Sequence, residues 1–194
     1  MRPLLALFLL ALAVPSSSAE RALPPLVGPA ARESLQKIRD AVPKRASVHM
    51  RVDRFGSSLD VRENFLRISL SGHKSGSGYS FSGSAGPQYL HARVNPRGEP
   101  KRGFDLWGSG ADLSITPAGS GWRLWGRADS TNISLHVDRF GSGWSVWGQS
   151  GLQVNVHGGG SGLTVMGSFD EQRFGVKALA VLGAALAVLD DQPK

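Results

Sequence analysis

The sequence predicts a mainly β fold. It is an antiparallel meander of about six β-hairpin repeats forming a curled sheet or half-barrel, with a short N-terminal helix and an apolar C-terminal helix on the concave face. Three observations lead there. Apolar residues alternate with polar ones in short runs that recur about every 20 residues, the period-two pattern of strands with one buried face. Glycine-rich turns separate the runs, as hairpins require where φ must be positive. Finally, the stretch from Ala178 to Leu189 contains no polar side chain at all.

Taken in order, Met1-Arg2-Pro3, the apolar run Leu4 to Val14 and the small residues Ser16 to Ala19 read as a secretory signal over 1–19. The apolar run is shorter than a bilayer span. The chain has no cysteine, so the fold rests on packing without disulfides, and neither a Cys-ligated metal nor a lipid-bearing N-terminal Cys is expected. The expected product is an exported chain, periplasmic or extracellular, with no transmembrane segment. With Arg2 lost, 21 basic side chains face 15 acidic ones. Their scatter reads as solvation of a sheet, and no nucleic-acid partner is expected.

Residues 20–29 form a proline-rich lead-in, and Pro29 opens a helix that Pro43 ends. Ala31, Leu35, Ile38 and Val42 make its apolar face. That helix and the repeats make up one domain over 30–169.

The repeat units begin near Val48, Leu66, Leu90, Leu113, Ile133 and Leu152. Each first strand alternates, as in Val48, Met50, Val52 or Ile133, Leu135, Val137, and each second strand follows a turn, as in Trp122, Leu124 or Trp144, Val146. One hexapeptide, Val-Asp-Arg-Phe-Gly-Ser, occurs verbatim at Val52 to Ser57 and at Val137 to Ser142, which sets the register. The opposite face is polar, except for Trp107, Trp125, Trp147 and Met166, each followed by glycine. That column reads as a cross-strand ladder over the glycines, as the place where the sheet curls and is covered on both sides, or as an aromatic partner stripe.

Ser168-Phe169-Asp170-Glu171 has the form of a capping box, so a helix is expected from there, covering 170–190. A helix apolar on every side belongs in a core or a membrane. Twelve residues rise only about 18 Å against a hydrocarbon core of roughly 30 Å, which favours burial against the sheet.

No catalytic constellation is present, and no enzyme activity or cofactor is expected: there is no Gly-x-Ser-x-Gly, His-Glu-x-x-His or phosphate-binding loop. His49, His91 and His136 share a polar face and would form a metal site only if their units were neighbours.

The leader, the helix Ala30 to Val42 and the meander through Val94-Asn95-Pro96-Arg97-Gly98-Glu99-Pro100 and Phe104-Asp105-Leu106-Trp107-Gly108 resemble the layout of the periplasmic lipoprotein-carrier (LolA-like) superfamily. The resemblance spans Ala30 to Gly126 and implies a concave apolar face, lidded by helices, that receives acyl chains. The later repeats and the C-terminal helix depart from it. The run Leu152 to Val165 is similar in rhythm to curli-type β-hairpin repeats, which implies a fibre subunit. Regularly placed Gln and Asn are missing, however, and Val137, Trp147 and Val156 stand instead.

The leading expectation is an exported, non-enzymatic cell-envelope protein that binds an apolar ligand or envelope lipid, with Leu135, Val137, Trp122, Trp144, Leu182 and Leu186 facing it. The alternatives are a curli-like structural subunit, or a module with a filled core that binds other envelope proteins through Trp107, Trp125 and Trp147.

Overall fold

The computed structural model describes Glu33 and residues 44–98, 103–148, 151–159 and 161–192. The expected leader, the proline-rich lead-in and the helix over 30–42 lie outside the described residues, apart from Glu33, which is helical. Residues 1–42 form one unit and residues 43–194 another. Everything below concerns the second.

Alternation drives twelve strands: β1 (Arg45–Phe55), β2 (Ser58–Glu63), β3 (Ile68–Ser75), β4 (Gly78–Ala85), β5 (Gln88–Pro96), β6 (Phe104–Gly108), β7 (Ala111–Ala118), β8 (Gly121–Ala128), β9 (Thr131–Phe140), β10 (Gly143–Gly148), β11 (Gln153–Gly159) and β12 (Gly162–Asp170). Each pairs antiparallel with the next, so the order is a pure meander. The curled sheet or half-barrel is corrected in one respect: β1 also pairs with β12, from Arg45 opposite Asp170 to Asp53 opposite Gly162, and the barrel is closed. Closure satisfies the backbone groups that an open meander would leave bare at both edges.

The register carries the stagger that closure needs. Following paired residues from Trp107 through Asp112 leads to Arg127, two positions from Trp125. From Trp147 through Gln153 the same path leads to Ser168, two positions from Met166. This steady offset is what tilted strands require in a barrel, and it sets the four residues at one level round the wall. The wall bends tightly beside them. Gly126 has φ 140°, and a Cβ there would fall 2.1 Å from the carbonyl oxygen of Asp112, so no other residue fits. Glycines follow Trp107, Trp147 and Met166 in the same way.

Inward positions are mostly apolar and buried, with Glu63 and Thr131 as buried polar exceptions near strand ends, whereas His49, Arg51, Ser69, His91, Arg93 and Gln153 face out. A membrane-spanning barrel alternates in the opposite sense. No helix among the described residues is long and apolar enough to cross a membrane.

Twelve strands enclose more space than the eight that side chains alone can fill. Helix α1 (Val176–Asp190) occupies it, with every residue from Ala178 to Leu189 buried. Its 15 residues span about 22 Å. An eight-residue strand tilted by about 40° rises roughly 20 Å, so plug and barrel match in height. Small residues make the fit possible: a Cβ on Gly183 would lie 2.5 Å from Met50 Sδ and 2.6 Å from Val61 Cγ1.

The helix starts later than its apparent capping box. Ser168 to Asp170 complete β12, pairing with β1, and the buried Asp170 closes a turn instead. Its carboxylate accepts from Gln172 N at 3.0 Å and its carbonyl from Phe174 N at 2.8 Å. Strand pairing with β1, and at Ser168 with β11 as well, outweighs a local helix-start signal.

Candidate functional site: the mouth of the plugged barrel

One end of the barrel carries the β1–β2, β3–β4, β7–β8 and β9–β10 turns together with the C-terminus of α1. The hairpin rhythm builds it. Gly121 and Gly143 open β8 and β10 where a Cβ would meet the carbonyl oxygens of Val137 and Val156 at 2.0 and 2.1 Å. Trp122 and Trp144 follow, partly buried against the core. Trp122 packs on Phe104 with ring centroids 6.0 Å apart. With Arg139, Val156, Leu163 and Leu189, the two indoles line a cleft of about 190 Å³ beside the end of the plug.

The plug is latched there. Asp190 and Asp191 sit at the C-terminal end of α1, where the helix dipole disfavours negative charge. Arg54 answers both: its guanidinium lies 3.1 Å from Asp190 Oδ2 and, through Nε, 3.2 Å from Asp191 Oδ1. The Tyr79 hydroxyl donates to the Asp191 carboxylate. Burial, reinforced by this hydrogen bond, holds the Tyr79 phenol well above its ordinary pKa of 10.0. At the other end Lys177, also misplaced for the dipole, lies 3.7 Å from Asp129, and Gly175 N donates to Thr131 Oγ1 at 3.4 Å. Both ends of the helix thus take their charge compensation from the barrel.

Of the residues expected to face a ligand, Trp122 and Trp144 meet at the mouth, while Leu135, Val137, Leu182 and Leu186 are packed in the core. The concave face is filled by α1. Trp107, Trp125 and Trp147 stand on the outer wall, 45%, 48% and 48% exposed. Two of them have wall partners: Trp147 stacks on His136 at 4.5 Å and donates through Nε1 to Asp138 at 2.7 Å, and the Arg93 guanidinium lies 5.5 Å from the Trp107 ring. His49, His91 and His136 stand on β1, β5 and β9, four strands apart, and do not converge. No cluster suited to a metal ion exists among the described residues.

Sequence reasoning passed over Arg54, Tyr79, Arg139, Asp190 and Asp191. The signal for two of them was available, since Arg54 and Arg139 occupy the same place in the repeated hexapeptide. No family model, curated protein or solved structure matches this chain.

Proposed function

We propose that this is an exported, non-enzymatic cell-envelope protein that binds or carries an apolar ligand or lipid. The ligand enters at the mouth between Trp122 and Trp144, and α1 serves as the occupant it competes with. The observation that carries the reading is the cleft itself: two partly buried indoles border it at the C-terminal end of the plug, and Leu189 of the plug lines it as well. Drug-sized ligands use sites of roughly 300 to 1,000 Å³. At about 190 Å³ the resting cleft holds only part of such a ligand, so a long chain requires displacement of α1. Barrel closure supports this reading over a fibre subunit, because no described strand offers an unpaired edge. Organic extraction of the full-length exported protein followed by mass spectrometry should recover an apolar compound, in larger amount from Asp191→Asn, whose latch is weakened. Recovery of none from either protein would refute the proposal.

The half-exposed Trp107, Trp125 and Trp147 favour a second reading, a protein-binding wall around a permanently filled core. Replacing all three with Ser should then abolish capture of envelope partners while leaving the β-sheet signal in circular dichroism unchanged.

A further inference from the structure

We propose that Arg139 makes the mouth cleft a site for a carboxylate carried on a small apolar group, in the manner of a medium-chain alkyl carboxylate. The inference rests on the apolar-ligand reading above and adds the chemistry of the ligand's head. The protein contains its own comparison. In the first copy of the repeated hexapeptide, Arg54 lies opposite Leu59 and its guanidinium holds the carboxylates of Asp190 and Asp191 over the barrel mouth. In the second copy, Arg139 lies opposite Trp144 in the equivalent register, five residues on in each hairpin. It too borders the mouth, but it pairs with no carboxylate among the described residues.

The carboxylate that shares its cleft and the one beside it in the chain are already engaged. Asp190 also lines the cleft, yet its charge is met by Arg54, and Asp138 accepts from Trp147 on the outer wall. Arg139 is therefore an uncompensated cation beside two indoles and Leu189. A planar guanidinium prefers carboxylate or phosphate oxygens, and the two indoles with Val156, Leu163 and Leu189 favour an anion that brings a hydrocarbon with it. The modest volume selects a single slender chain entering end-on over a two-chain lipid.

The test is calorimetric titration of the full-length protein with sodium octanoate and, separately, with octan-1-ol, its uncharged counterpart. Octanoate should bind the wild type and bind Arg139→Gln about tenfold or more weakly, the loss expected for one charged hydrogen-bonding partner. Octanol should bind both proteins equally, and the thermal midpoint should be unchanged because the Arg139 side chain is exposed. Arg123→Gln, which removes an exposed guanidinium on β8 that lines no part of the cleft, should retain octanoate binding. Equal octanoate affinity in wild type and Arg139→Gln would overturn the assignment of the head site while leaving the apolar cleft. An equal loss in Arg123→Gln would overturn it as well, by showing only a general effect of positive charge. If neither compound binds the wild type, this inference and the apolar-ligand reading both fail.

Discussion

Two glycines and one tyrosine set limits that no other residue type could meet. At Gly126, alanine would need both an unfavourable positive φ and a Cβ pressed into a neighbouring carbonyl. Gly126→Ala should lower stability by about 2–3 kcal/mol in urea unfolding, the range for enforced backbone strain. Gly183 is different, since its conformation is ordinary helix and only space is lacking. Met50 can shift but the branched Val61 is stiff, so Gly183→Val should cost about 1–3 kcal/mol through overpacking. Tyr79 governs alkaline behaviour. Its folded pKa is raised, so its contribution is complete below its ordinary 10.0. Above that pH only the unfolded chain releases the proton, and stability falls. Urea midpoints measured across alkaline pH should decline more steeply for the wild type than for Tyr79→Phe. The sequence showed where each of these glycines and the tyrosine stood, but not what each would touch.

At the level of elements, the six hairpins were legible because period-two alternation and glycine turns act over only a few residues. The start of the C-terminal helix was misread for the same reason. The segment from Ser168 to Asp170 carries a local capping signal, yet long-range pairing with β1 claims it. The latch likewise joins elements far apart in the chain, Arg54 on β1 and Tyr79 on β4 with the end of α1. Its charges are partly exposed, so Arg54→Gln should cost only about 1 kcal/mol. It should also raise amide hydrogen exchange in the last turn of α1 while leaving β-strand protection intact. Unchanged exchange in that turn would show that Arg54 does not hold the plug. Trp122 and Trp144 could be placed inward from alternation, whereas Arg139 was recognisable only as a copy of Arg54.

For the whole molecule, barrel and plug form one cooperative core. A chain ending before Val176 would expose the inward apolar faces of twelve strands, and should bind a hydrophobic dye and lose its sharp thermal transition. A sharp transition without dye binding would mean that the barrel closes on itself unaided. The sequence alone determined strand number, strand direction, the inward and outward faces and the need to shelter residues 178–189, because each depends on near neighbours and on the sign of hydropathy. Leu135, Val137, Leu182 and Leu186 were correctly apolar, but whether they would line an empty groove or pack together was undecided. Tertiary structure alone decided that β1 meets β12, that the helix fills the space this creates, and that a small mouth remains beside Arg139. Closure depends on register accumulated over twelve strands, and filling depends on matching plug to lumen, so neither is a property of any local stretch of sequence.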